Sequence, residues 1–247
     1  MINIDKIKNQ VQILSNNNIN KDLAKLYCEN WPDYEKLINY NNSIEKIWHE
    51  HYNSGRYANI YLLATSDAYN NADFRIMFLG KETMGWGGEF DKEILPPNIK
   101  DLMSLYDLFI NHDLGNPGSA FHRFVNRFRG IINCKQIGVI CNNVIKVGKK
   151  SKTGFYKSAK DLVVLKEEID ILNPDLVVCP LSYKADYMNI LEQHLGKPSL
   201  APKSNSLIKI YNYPTFKSIP FIHCLHPQGK KKEVVNSIIE EIQCFIK

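Results

Sequence analysis

Glu82, Asn143 and His226 each follow closely on a short apolar run, IMFL (76–79), IGVIC (137–141) and FIHCL (221–225) respectively. Brought together, a carboxylate, an amide and an imidazole suit hydrolysis of an N-glycosidic bond. The carboxylate orients water and stabilises an oxocarbenium-like centre, the amide reads a base edge, and the imidazole supports the departing anionic base. Taken singly, none of the three decides the chemistry. Glu82 can equally cap a helix or pair with Lys81, and a histidine before proline, as in His226-Pro227, is more often a hydrogen-bonded loop residue than a catalyst. His223, inside the run, reads as buried structure.

The stretch from Gly80 to Gly88 is glycine-rich, and bare backbone N–H groups there can approach an anion closely. It lacks both Gly-x-x-x-x-Gly-Lys-Ser/Thr and Gly-x-Gly-x-x-Gly, which argues against a nucleotide hydrolase or a dinucleotide enzyme. Gly80, Lys81 and Thr83 are expected to supply pocket backbone. Trp86, with three glycines around it, and Phe90 are candidates to stack on a base drawn out of a duplex, and Phe90 suits the core equally well. No metal site is expected. His49-Glu50-His51 lacks the i, i+4 histidines of a zinc protease helix, and Cys179-Pro180 lacks the partners of a zinc deaminase.

Positioning these residues is the task of the chain as a whole, and 247 residues with 44% hydrophobic and 23% charged side chains are ordinary for a globular protein. One domain is expected over 1–247, with a helical N-terminal extension (1–70) packed on a core (71–247). In the extension, Ile4, Ile7, Val11, Leu14, Leu23, Leu26, Ile44, Ile47 and Trp48 fall at helical spacing. From there on, the runs at 76–79, 137–141, 175–179 and 221–225 alternate with helical patterns at about 98–111, 119–129, 159–172, 183–195 and 231–246. Ser158 and Asp161 resemble a capping box at the third of these. Near-continuous apolar runs joined by long crossovers predict a parallel sheet covered on both faces. The expected class is therefore α/β, a three-layer α/β/α sandwich around a central, mainly parallel four-stranded sheet, with LIKIY (207–211) as an added edge strand. In such sheets ligands bind beyond the carboxyl ends of the strands, which directs attention to the residues after each run.

Charge points to a polyanion. The net charge is +5, and six lysines (146, 149, 150, 152, 157 and 160) lie between Lys146 and Lys160 without an acid, interleaved with Phe155 and Tyr156. Lys230, Lys231 and Lys232 follow the His226 loop. Lys146, Lys149, Lys150, Lys230 and Lys231 are the candidate phosphate contacts, although a lysine run is also the usual make-up of a solvated face. Arg123, Arg127 and Arg129 either extend the track or line an exposed helix. Six cysteines without a Cys-x-x-Cys pair predict free thiols and a cytoplasmic location. No apolar run approaches the roughly 18–20 residues that span a bilayer.

These residues together resemble the uracil-DNA glycosylase superfamily over about residues 75–246. FLGKETMGW (78–86) is similar to its first motif, with Glu82 at the water-activating position, and NVIK (143–146) resembles the Asn-Val-Val-Lys stretch of its thermophilic-type branch, whose Asn contacts the extruded base. HCLHPQG (223–229) resembles the His-Pro-Ser motif, whose His assists departure of the base, and PPNIKDL (96–102) is similar to a segment that touches DNA phosphates. Thr83-Met84 and Gln228-Gly229 depart from the family's pattern, and the Pro-free first loop suggests a pocket roomier than uracil needs. The thermophilic branch's iron-sulfur cluster is not expected, because the six cysteines lack the required placement. The resemblance implies a monomeric, cofactor-free, monofunctional DNA glycosylase acting on uracil or a bulkier modified base, in DNA repair or antiviral defence. The alternatives are a catalytically inactive nucleic-acid-binding module of the same fold and a hydrolase of free nucleosides or nucleotides.

Overall fold

Ile76, Met77, Phe78 and Leu79 have no exposed surface, and neither do Leu176–Cys179 or Phe221–Cys224. Strands buried on both faces read as continuous apolar runs rather than as alternation, and these three runs are the middle of a sheet. In the computed structural model, residues 17–30, 61–82, 99–111, 119–131, 136–146, 164–182 and 185–246 are described. The chain divides into two compact units. One comprises Met1–Ser66, Glu82–Gly115 and Ile145–Ile171, and the other Asp67–Lys81, Asn116–Val144 and Leu172–Lys247.

The second unit carries the sheet apart from the last residues of its first two strands, Glu82 and Ile145, which are assigned to the first unit; the strands are β1 (Phe74–Glu82), β2 (Ile137–Ile145), β3 (Leu176–Cys179), β4 (Ser199–Leu200), β5 (Ile208–Asn212) and β6 (Phe221–Cys224). Their order is β2-β1-β3-β6-β5-β4. β3 pairs in parallel with β1, Ile76 opposite Leu176, and with β6, Cys179 opposite His223. β2 runs the same way as β1. At its start Gln136 O accepts from the Asp73 and Phe74 amides, and near its end Asn142 and Asn143 lie against Gly80. The sheet has six strands and is mixed, because β5 pairs antiparallel with β6 and β4 antiparallel with β5. The expected four parallel strands are therefore extended at one edge. LIKIY supplies β5, and the two-residue β4 is too short to leave a periodic signal.

The helices of this unit are α2 (Asp67–Asn70), α4 (Ala120–Ile131), α6 (Ala185–Leu195) and α7 (Lys232–Gln243). α4 buries Phe121, Phe124, Val125 and Phe128 at the three-and-four spacing of one helical face. The Phe124 and Phe128 rings meet Phe78 of β1 edge-on, with centroids 5.8 and 4.9 Å away. Gly138 lets α2 approach β2, since a Cβ there would lie 2.8 Å from Tyr69 Cα.

The first unit contains α1 (Asn18–Asn30), α3 (Ile99–Tyr106, continued by a π-helical turn at Asp107–Asn111) and α5 (Leu165–Leu172), whose last residue passes into the second unit. α1 packs on α3. Helices were expected throughout 1–70, yet Tyr61–Thr65 is a buried segment without regular structure. The Asn20 carboxamide pairs with it as a strand would. Its Nδ2 donates to Thr65 O at 3.1 Å and its Oδ1 accepts the Thr65 amide at 2.7 Å.

Lys146 belongs to this core. Expected to reach a DNA phosphate, it is 1% exposed, with Nζ 2.6 Å from Glu168 Oε1. Tyr27 OH donates to the same oxygen at 2.6 Å and accepts the Leu63 amide at 3.1 Å. Burial lowers the Lys146 pKa, and Glu168 offsets part of that effect. Burial, followed by Glu168, raises the pKa of Tyr27. An ion pair this deep is held by mutual satisfaction, and removing one partner strands the other charge. Lys149, Lys150 and the Ser158 capping box lie outside the described residues.

Two consequences can be measured. Lys146→Met should lower the free energy of unfolding by about 3–5 kcal/mol, and Lys146→Met with Glu168→Leu should recover most of it, as read by urea denaturation. Burial pushes the pKa of His223 down to about 3. That of His122 falls to about 4, through burial first and Arg129 second. Both rings stay neutral in the folded protein while the unfolded chain takes up protons near pH 6.5. Stability should thus be complete above that pH and fall as the pH drops toward 4, by up to ~1.4 kcal/mol per unit for each histidine. His223→Leu should flatten this slope in unfolding measurements at successive pH values.

Candidate functional site

The carboxyl ends of β1, β2, β3 and β6 lie along one edge of the sheet, where the strand order places Asn143, Gly80, Ser182 and His226 across four neighbouring strands or the loops that follow them. The ladder reaches further than the apolar runs. Gly80, Lys81 and Glu82 were expected in a loop but form the end of β1, and Asn142–Ile145 likewise continue β2. Backbone pairing does not stop where apolar side chains stop.

On this edge Gly80 and Asn143 are brought together. A Cβ at Gly80 would overlap Asn143 Oδ1 and lie 3.3 Å from Phe121 Cζ, so the bare glycine is what admits the carboxamide. The preceding asparagine has a different task. Asn142 is fully buried, its Oδ1 accepts the Asn143 amide at 2.7 Å, and its Nδ2 points to Met77 Sδ at 3.7 Å. Adjacent strand residues face opposite sides, so the two asparagines point apart, Asn142 fully enclosed and Asn143 buried over Gly80 at 7% exposure. Glu82, partly buried, is the last residue of β1, two positions beyond Gly80.

His226 follows β6 in a turn closed by the Lys230 amide, which donates to Pro227 O at 3.1 Å. Gly229 has a φ of 72°, and a Cβ there would meet nothing within 4 Å, so glycine is needed for its backbone conformation and not for space. The Gln228 amide donates to His226 Nδ1 at 3.2 Å. An Nδ1 that accepts carries no proton, so the neutral ring is the Nε2–H tautomer and Nε2 is a donor. At the other end of the residue, the His226 amide donates to Ser182 Oγ at 2.7 Å. Ser182, with a φ of 58°, occupies the left-handed region at a cost of roughly 1–2 kcal/mol.

Lys230, Lys231 and Lys232 are all exposed and occupy the entrance of α7, Lys231 as an N-cap without a side-chain cap bond. Cations at the positive end of a helix are unfavourable by about 0.3–1 kcal/mol each, and the first turn offers Glu233 alone in compensation. The three arginines of α4 do not form one track. Arg123 is exposed, whereas the Arg129 guanidinium is turned inward to Val139 O at 3.2 Å.

Asn143 on β2 and His226 beyond β6 are three strand spacings apart, about 14 Å between backbones. Trp86, Phe90, Thr83, Lys149 and Lys150 lie outside the described residues. Ser182 and Phe121 were missed in the sequence, and Asn142 was read only as part of the loop after the second run. The rule that directs attention to strand ends pointed to the loop after β3 as well, but Pro180-Leu181-Ser182 contains no residue type that announces chemistry. Among the described residues, no three His, Cys, Asp or Glu side chains are grouped to hold a metal ion, and no helix is long and apolar enough to cross a membrane. Cys28, Cys141, Cys179, Cys224 and Cys244 are free thiols. No protein-family model matches the chain, and no curated protein matches its sequence.

Proposed function

We propose that this chain is a monofunctional DNA glycosylase related to the uracil-DNA glycosylase superfamily, a cytoplasmic monomer with a three-layer core that hydrolyses the N-glycosidic bond of a deaminated or bulky modified base. The observation that carries the reading is the pairing of functions along one edge of a parallel sheet. A carboxamide is seated over a bare glycine at β2 and β1, and an imidazole fixed as an Nε2–H donor follows β6.

In the proposed reaction the target nucleotide leaves the duplex, and the Asn143 carboxamide hydrogen-bonds the edge of its base. The C1′–N bond breaks with its electron pair going to the base, and the Nε2–H of His226 stabilises the anion that departs. Glu82 orients a water molecule, accepts its proton as the oxygen bonds to C1′, and its negative charge favours the cationic sugar until then. An abasic site and a free base remain. Among the described residues, no lysine is placed to argue for a Schiff-base step. Lys230 and Lys231, held where an anion relieves their repulsion with α7, suit the phosphates that flank the target.

A second reading, a binding module without chemistry, is favoured by that same lysine cluster, which needs no catalysis to be useful. Release of free base separates the two. DNAs containing uracil, hypoxanthine, xanthine, or hydroxymethylated or glucosylated pyrimidines should include one that the protein cleaves, and Glu82→Gln and His226→Ala should each slow that reaction by about 10²–10⁴-fold. Salt-sensitive binding with no base released from any of them would leave the binding module. Lys231→Glu should raise thermal stability slightly, by about 0.3–1 kcal/mol, and weaken DNA binding with a shallower dependence on salt.

A further inference from the structure

The loop after β3 contains a residue whose conformation and chemistry conflict. Ser182 has a φ of 58°, a region that glycine enters freely and a side chain makes unfavourable. A glycine would fit the backbone better, so whatever keeps a serine there is supplied by its hydroxyl. That hydroxyl accepts the His226 amide proton at 2.7 Å, and the Ser182 amide donates to Cys224 O at 3.2 Å. The two bonds tie the loop after β3 to the last residue of β6 and to His226, two residues further on. Beyond that anchor, the Gln228 amide reaches Nδ1 of the same histidine at 3.2 Å. The imidazole is thus held from both sides, its backbone by Ser182 and its inner nitrogen by Gln228.

We propose that Ser182 is the positioning residue of His226. It fixes the start of the turn so that the Gln228 amide stays on Nδ1 and the ring keeps its proton on Nε2. Its catalytic consequence rests on the reading of His226 as the group that stabilises the departing base. Ser182 touches neither substrate nor reacting atoms; it acts through the amide of residue 226. The same geometry explains why strain is tolerated here. Relieving it by substitution to glycine removes the only acceptor that the side chain at 182 offers to that amide.

The test uses the full chain labelled with 15N-histidine, with His226→Ala to assign the ring signals. Wild type should show His226 as a single Nε2–H tautomer. Ser182→Gly, which eases the backbone and removes the hydroxyl, should fold and retain DNA, yet show both tautomers. Its base release at saturating DNA should be slower by on the order of 10–100-fold with KM little changed. Ser182→Asn, which tolerates a positive φ and restores an acceptor, should recover part of both signals. Wild-type ring signals in Ser182→Gly would overturn the proposal, whatever the activity. Mixed tautomers in Ser182→Gly, together with a wild type that releases no base, would uphold the positioning and remove the glycosylase reading.

Discussion

The pairing of β3 on both sides is the constraint on which the rest of the sheet depends. Its four residues have no exposed surface and can be satisfied only by a ladder to β1 and a ladder to β6. Register is keyed at the start. The Asp175 amide donates to Arg75 O and the Arg75 amide to Asp175 Oδ2, both at 2.8 Å, so a slip by one residue would break a two-point clamp as well as turn apolar side chains outward. Because the pairing is parallel, the carboxyl ends of the three strands share one edge, β3 and β6 ending within one residue of each other and β1 running three residues further to Glu82. The nearness of Ser182 to His226 follows from this before any side chain is considered.

The middles of the strands were legible in the sequence because burial on two faces leaves an uninterrupted apolar run. Their ends were not. Asn142 reads as a loop residue by type, but its carboxamide is satisfied by the Asn143 amide and the Met77 sulfur, so a polar side chain remains inside the ladder. Lys146 misled for a related reason. A lysine that opens a basic run is normally solvated, and the sequence does not show that Tyr27 and Glu168, far along the chain in both directions, converge on it. Tyr61–Thr65 escaped because its partners are scattered, the Asn20 carboxamide at Thr65, the Tyr27 hydroxyl at Leu63 and the Lys146 carbonyl at Tyr61, rather than another run.

The candidate site divides along the same line. Residue type and position after a strand were enough to single out Gly80, Asn143 and His226. What they do not reveal is protonation and support. The tautomer of His226 is set by a backbone amide, and the backbone of His226 by a serine 44 residues earlier in the loop after β3; the second is visible only once β3 lies beside β6. A hydroxyl in a left-handed conformation has no signature in a single sequence, since serine is at home in any loop.

The lysines at the entrance of α7 have one more consequence, through linkage. Like charges crowded at the positive end of a helix dipole make the native state less favourable than its packing alone would allow. An anion that settles there is held by the folded helix and not by the unfolded chain, so its binding and the protein's folding draw on one equilibrium. Melting temperature should then rise with the concentration of any polyanion that occupies the entrance, which makes the stability of α7 itself a gauge of occupancy.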